Sequence, residues 1–505
     1  MSLAGVALGG GAACTLLLDH NATQCQTNDD CFRFGGHPFC QGSVCVDSGL
    51  QPADCFYGSP SQPADFLNQC STAQCLPFDR CGHLPACGDA DPPLVNPPGP
   101  DSGSGGDAGA AGDAATSDAS VPNLPSCYDP TAGRGEVVYI TGSSNFPPLL
   151  KQLAPVIING QDTTSTGGGP TPVFLTTSSC QGVGSMYTTN HTISDPAPPS
   201  TNYAQYFDVN GNAVPCLLHG SVTVDIGESD VYSTTCDKND GPSPDVSANM
   251  GPIQAMAFVV PGASQETSIN EEAARLVFGA GGAGGEVHPW TEPKRYYVRS
   301  SGTGTQQMIG LAIGVPPGKF WGIPEGTASS LATILKAITD PTEAEQSIGI
   351  LSVDWYDADR TNLTVLAYQA SGQECAYLPD SNALTYDKRN VRDGHYPIWG
   401  PLHFFTTNPP SQTAGEFLVN LQESQAVLDA YIGASLVPNC AMTVQRDTEL
   451  GPLQPYAPHH ACGCYFDAKV ALDKSQPPPG CQTCSTDANC PAARPRCNYG
   501  FCEAQ

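Results

Sequence analysis

Residues 137–140 read VVYI, an unbroken β-rich apolar run, and are followed by the turn TGSSN and by FPPLLKQLAPVI, whose apolar spacing suits a helix. The same alternation recurs downstream. In SVTVDIGESD, Val222, Val224 and Ile226 alternate with Thr223 and Asp225, which predicts one half-buried strand ending at Asp230. YFDVNGNAV places Asn210-Gly211 between β-prone residues, a hairpin signal. SINEEAARLVF opens with Ser268 and Glu271, the spacing of a capping box at a helix start. KRYYV predicts a strand, RSSGTGT a loop and QQMIGLAIG a helix. Strands alternate with helices over the central 300 or so residues, so the expected class is α/β.

Outside that region the pattern breaks down. From Gly88 to Ser126 the chain reads GDADPPLVNPPGPDSGSGGDAGAAGDAATSDASVPNLPS, with no lysine, arginine or aromatic residue, the composition of an acidic linker that cannot bury a core. A short cysteine module occurs twice. CQTNDDCFRFGGHPFCQGSVC and CSTDANCPAARPRCNYGFC both open C-x-T-x-x-x-C and close C-x-x-x-x-C. Loops that small cannot bury a core and need bridges to hold them. Ten of the 23 cysteines lie between Cys14 and Cys87, and five between Cys481 and Cys502. That density predicts disulfides and an extracytoplasmic location, in the periplasm or on the envelope surface. The odd one out is assigned to Cys14, which ends MSLAGVALGGGAAC, a run similar to the end of a bacterial lipoprotein signal. Lipidation there is the expected membrane attachment.

The chain carries 49 acidic and 20 basic residues, for a net charge of −29, which excludes nucleic acid as a partner. Against that background, Arg299-Ser300-Ser301-Gly302-Thr303-Gly304-Thr305 stands out. A strand, a glycine-rich loop and a helix start supply free backbone N–H groups, two hydroxyls and a planar cation, the parts of an anion seat. TGSSN offers Ser144 and Asn145, CQGVGSM offers Ser185 and GESD offers Asp230, all placed by the sequence at strand ends or in loops. HHACGC has metal-ligand types at close spacing, but in an oxidising compartment its cysteines are expected in disulfides, and no metal or cofactor is implied. No nucleophile–base constellation is legible, so binding is expected, not catalysis.

Taken in order, TGSSNFPPLL, QGVGSM, DIGESD, VRSSGTGT, QSIGILSVDWYD and HYPIWGPLHFF resemble the phosphate-binding proteins of bacterial ABC importers, within the type 2 periplasmic binding protein fold. The resemblance covers about residues 136–440. It implies a two-lobed α/β domain, an inorganic phosphate or similar oxyanion as ligand, and an ABC permease as partner. It also implies ligand contacts from Asn145, Phe146, Ser185, Asp230, Arg299, Thr303, Gly304 and Thr305. The chain departs from the pattern at Met186, at Thr303 and at Glu228, which brings a second carboxylate close to Asp230. The other readings left open are a surface recognition protein that keeps the fold without transport, and a binder of another small polar ligand. The domain plan that follows is a signal segment (1–14), a cysteine-rich region (15–88), a linker (89–126), a binding domain (127–445) and a C-terminal cysteine-rich region (446–505). Within the binding domain one lobe takes about 136–250 and 385–440, and the other about 251–384.

Overall fold

The computed structural model describes residues 39–41, 44–46, 55, 56, 58–84, 123–160, 168–188, 191–198, 200–282 and 287–504. Residues 54–505 form one compact unit, and residues 1–53 another.

The larger unit is built on a mixed 11-stranded sheet. Its strands are β1 (Val137–Gly142), β2 (Thr171–Thr176), β3 (Ala204–Phe207), β4 (Ala213–Cys216), β5 (Ile226–Ser229), β6 (Val246–Pro261), β7 (Tyr296–Arg299), β8 (Ile323–Glu325), β9 (Ile348–Ser352), β10 (Leu363–Val365) and β11 (Trp399–Thr407). The spatial order is β8-β7-β9-β6-β11-β5-β1-β2-β3-β4, with β10 also paired to β6. β1 is parallel to β2 and β5, and β7 is parallel to β8 and β9. β1, β2 and β9 are buried along almost their whole length, in keeping with their near-continuous apolar runs.

Two strands carry the chain between lobes. β6 is 16 residues long. Its first part pairs antiparallel with β11, with a register shift between Met250 and Ile253. Its second part pairs with β9 and then β10. β11 in turn pairs with β5 through His403–Phe405. The helices fall into two groups, each burying its apolar stripe on its own side of this crossing. On one side lie α1 (Phe146–Asn159) and α2 (Ser179–Tyr187). On the other lie α3 (Glu271–Ala280), α4 (Gly304–Ile313), α5 (Ala328–Ala337) and α6 (Val353–Asp357). The chain returns to the first side with α7 (Gln412–Asn420) and α8 (Gln425–Gly433). Leu149, Leu150, Leu153, Phe174, Phe404, Phe417 and Tyr431 form the first core, and Phe258, Phe278, Trp290, Ile309, Leu331 and Ile350 belong to the second. Tyr396 and Ile398 pack with the second core and Leu402 with the first, so the return crossing falls near Gly400.

The cysteine-rich flanks are partly absorbed into the second lobe. Phe66, Leu84, Cys462, Tyr465 and Phe466 join its core, and Cys75 is bonded to Cys375 across 300 residues. In the HHACGC stretch the cysteines are bonded elsewhere, Cys462 to Cys440 and Cys464 to Cys481. In the last module the bridges are Cys484–Cys497 and Cys490–Cys502. Its closing hairpin sets Cys497 opposite Cys502, and the hairpin of the first module sets Cys40 opposite Cys45, an identical register.

Two sequence expectations change. The stretch from Ser221 to Asp230 is two strands, Ser221–Thr223 and Ile226–Ser229, not one. The break comes at Asp225, whose carboxylate accepts from Tyr139 N–H and the Ser411 hydroxyl. The helix expected from Ser268 is capped by Asn270, whose side chain accepts from Ala273 N–H. Ser268 belongs to a short strand paired with Ala367–Gln369.

Candidate functional site

Asp230 closes the edge of β5 and is fully buried. Its Oδ2 accepts three hydrogen bonds, from Ser143 Oγ (2.6 Å), Asn145 Nδ2 (3.0 Å) and Ser179 Oγ (3.1 Å). Ser143 and Asn145 come from the turn between β1 and α1, and Ser179 from the first residue of α2. Burial pushes the Asp230 carboxyl up, while these three donors and Arg299 pull it back towards the ionised form. Its Oδ1 is buried and unpaired.

The second lobe meets this cluster through α4. The N–H of Gly304, a helix-start donor with no partner inside the helix, donates to Ser179 Oγ at 2.8 Å. Asn145 Nδ2 also donates to Thr305 Oγ1 at 3.2 Å, and Cys180 N–H to the Gly302 carbonyl at 3.0 Å. Glycine at 304 is a steric requirement, because a Cβ there would sit 2.5 Å from Asp230 Cβ and 2.8 Å from Ser179 Oγ.

Arg299 ends β7 with 2% exposure. Nε donates to the Glu325 carbonyl (3.2 Å), and Nη2 to Ser144 Oγ (3.0 Å) and the Gly326 carbonyl (3.3 Å). Nη1 is buried without a hydrogen-bond partner. Burial lowers the guanidinium to about 10, against the pull of Asp230 and Glu325, so it stays charged at neutral pH.

Further carboxyls crowd the same region. Glu228 is fully buried, and burial together with Asp230 pushes it well above the usual range. Asp354 at the start of α6 is raised to about 7, chiefly by burial. Glu449 is raised to about 8, again by burial, and accepts from Tyr232 N–H at 2.8 Å. Neutral acids are the outcome expected when several carboxyls share a low-dielectric site. Glu228 and Glu449 are thereby driven towards the neutral acid, while three hydrogen-bond donors and Arg299 favour the ionised form of Asp230.

The sequence-predicted residues divide. Asn145, Asp230, Arg299, Gly304 and Thr305 come together. Phe146 does not offer its side chain, because its ring lies in the first core against Phe174 (5.5 Å) and Phe404 (5.6 Å). Ser185 lies within α2, not in a loop, and its hydroxyl donates to the Gly182 carbonyl at 2.6 Å. The Thr303 hydroxyl donates to the Ser300 carbonyl at 2.8 Å. Cys14 lies outside the described residues. Ser143 and Ser179 were not singled out by sequence. Each is one of a serine pair leading into a helix, and that was the available signal.

The chain matches no protein-family model and no curated protein. Among solved structures it is similar to a putative phosphate ABC transporter substrate-binding protein with bound phosphate from Clostridium perfringens, at 12% identity, covering 60% of this chain and 99% of that one, TM-score 0.40. It is similar to a possible phosphate binding protein from Planctomyces limnophilus at 12% identity, 60% and 92% coverage and TM-score 0.35. An ABC-type phosphate transport receptor from Vibrio cholerae gives 13% identity, 59% and 99% coverage and TM-score 0.37. Among the described residues no helix is long and apolar enough to cross a membrane.

Proposed function

We propose that this chain is an extracytoplasmic solute-binding protein that captures a small oxyanion, with phosphate the preferred ligand, and delivers it to an ABC permease. The observation that carries the reading is the meeting of Asp230 and Arg299, both buried, each holding an unpaired polar atom. An acceptor-only carboxylate beside a donor-only guanidinium suits a ligand that is an anion and also bears a proton. Hydrogen phosphate has both properties, whereas sulfate at neutral pH has no proton to give Asp230. The Thr305 hydroxyl, which accepts from Asn145, can add a donor, while the Ser143 and Ser179 hydroxyls and the Gly304 N–H, engaged with Asp230 and Ser179, hold the carboxylate in place, and none of this depends on net charge. Surface charge beyond ~8 Å is largely screened at physiological salt.

Both lobes supply these groups, so ligand contacts favour closure about β6 and β11, and closure is what a permease would detect. The disulfides support an oxidising compartment, and attachment through a lipidated Cys14 would hold the protein at the envelope.

Calorimetric titration of phosphate and sulfate decides the ligand. Wild type is expected to prefer phosphate. Asp230→Asn is expected to narrow the gap, because an amide can donate as well as accept. A wild type that prefers sulfate, or binds neither anion, overturns the proposal.

A further inference from the structure

Ser179 and Asp230 lie 51 residues apart in sequence and meet through one hydrogen bond. Right beside that contact the chain is tied together covalently. Cys180, the residue after Ser179, is bonded to Cys236, which lies six residues beyond Asp230.

The helix that carries Ser179 has little stability of its own. α2 is nine residues long, SCQGVGSMY, shorter than an isolated helix needs, and it contains two glycines, the weakest helix formers after proline. Gly182 is fixed by close packing, because a Cβ there would lie 2.1 Å from the Glu228 carbonyl oxygen. Ser178 caps the first turn by accepting from Gln181 N–H at 3.2 Å. The bridge adds a covalent anchor in that same turn. Successive residues point about 100° apart around a helix axis. With Cys180 held against the short turn Ser233–Cys236, Ser179 is therefore aimed in one direction, at Asp230. Tyr187, at the far end of α2, reaches the same short turn through a 3.4 Å hydrogen bond to Ser233 Oγ, which steadies the end of the helix away from the site.

Three contacts depend on that first turn. Ser179 Oγ donates to Asp230 Oδ2 at 3.1 Å and accepts from Gly304 N–H at 2.8 Å, and Cys180 N–H donates to the Gly302 carbonyl at 3.0 Å. The first orients the carboxylate, and the other two join the lobes.

We propose that the Cys180–Cys236 bridge is a positioning element of the anion site, fixing the first turn of α2 so that Ser179 holds Asp230 and meets the Gly304 N–H when the lobes close. This rests on the oxyanion reading given above and adds to it a part that lies outside the ligand lining.

The first lobe contains its own control. Cys127–Cys216 closes a loop of 89 residues against 56, and so constrains the unfolded chain at least as strongly. Both of its cysteines are fully buried, in a core with Val137, Val173 and Ala204, and Cys216 ends β4 at the sheet edge, four strands from β5. Those neighbours supply none of the groups around Asp230.

The test uses the full chain as wild type, as Cys180→Ser with Cys236→Ser, as Cys127→Ser with Cys216→Ser, and as Ser179→Ala alone and combined with the first pair. Inorganic phosphate and sulfate are titrated by calorimetry, and melting temperatures are taken without ligand. Removing Cys180–Cys236 is expected to weaken phosphate binding by about tenfold or more, the contribution of a hydrogen bond to a charged group. It should also narrow the gap to sulfate, because phosphate alone relies on an oriented Asp230. Removing Cys127–Cys216 is expected to lower the melting temperature at least as much and to leave phosphate affinity at the wild-type value. Ser179→Ala should weaken phosphate to a similar degree, and in the background lacking Cys180–Cys236 it should add little, since both changes remove the same contact. Wild-type affinity without Cys180–Cys236, an equal loss without Cys127–Cys216, or additive losses for Ser179→Ala overturns the proposal. Where a serine pair does not fold, Cys180→Ala with Cys236→Val, or Cys127→Ala with Cys216→Val, fills the space of the bridge without the bond and is read in the same way. If wild type binds neither anion, the oxyanion reading falls, and amide hydrogen exchange still decides the positioning role. The Gly304 N–H, which donates to Ser179 Oγ, should exchange faster without Cys180–Cys236 and at the wild-type rate without Cys127–Cys216. A Gly304 N–H that exchanges at the wild-type rate in both variants overturns it.

Discussion

Gly304→Ala tests how the two lobes meet, because the added methyl would enter the space where they touch. Gly304 is the first residue of α4, in ordinary helical conformation, so the substitution introduces no backbone strain. The clash is steric. The new Cβ would lie 2.5 Å from Asp230 Cβ, 2.7 Å from Asp230 Oδ2 and 2.8 Å from Ser179 Oγ. Carbon atoms pack best at roughly 3.5–4.0 Å, so the second lobe must withdraw by on the order of 1 Å. Overpacking of this kind costs about 1–3 kcal/mol. If the closed state bears that cost alone, phosphate affinity falls by about 5- to 150-fold. Both hydrophobic cores are left untouched, and alanine is the better helix former by up to ~1 kcal/mol, so the melting temperature without ligand should change little. Calorimetry with phosphate and differential scanning calorimetry on the same preparations separate the two effects. An alanine variant that binds phosphate as tightly as wild type would show that Gly304 does not close against Asp230. A variant that loses affinity and stability together would place the damage in folding instead of closure.

Three further substitutions probe the charges. Arg299→Ala should weaken every oxyanion by about 2–5 kcal/mol, the range for truncating one partner of a buried, hydrogen-bonded charge pair, and Arg299→Lys should restore only part of this. An ammonium cannot reproduce the fork that reaches Ser144, Glu325 and Gly326, so a lysine variant with full affinity in calorimetry would count against the geometry. Glu449→Gln should remove a pH-dependent weakness. Burial raises Glu449 to about 8, so its contribution is whole at lower pH and is lost as pH climbs to that value, by up to about 1.4 kcal/mol per pH unit. Chemical denaturation at stepped pH should show wild type falling relative to the variant between about pH 4.5 and about pH 8 and running level with it above, and parallel curves throughout would refute it.

How much of this was readable depends on which physical constraint each residue answers to. The Arg299–Thr305 loop could be read because strand, glycine-rich turn and helix start are local, and local order is what a sequence displays directly. Asp230 was legible because a carboxylate at the end of an apolar strand has few structural explanations. Which serine of α2 faces the site was not. Ser179 and Ser185 are six residues apart, so at about 100° per residue they lie roughly 240° apart around the helix axis. Only one of them can point at Asp230, and the choice is made by how α2 docks on β5, through Gly182 and Met186 against Gly227. Phe146 adjoins Asn145 in sequence, but its apolar ring is drawn into the first core. The cap of α3 moved from Ser268 to Asn270 because pairing with a strand about a hundred residues away took Ser268 out of reach of the helix start. Nothing local marks Glu449, 217 residues after the Tyr232 whose N–H it accepts, or the bond from Cys75 to Cys375. These contacts are set by packing of whole lobes. They also bind sequence outside the recognisable motifs to the closing elements: Glu449 reaches Gly400, where the return strand crosses between lobes, as well as the turn after Asp230. The C-terminal segment is thus packed against the return strand and against the turn that carries Asp230.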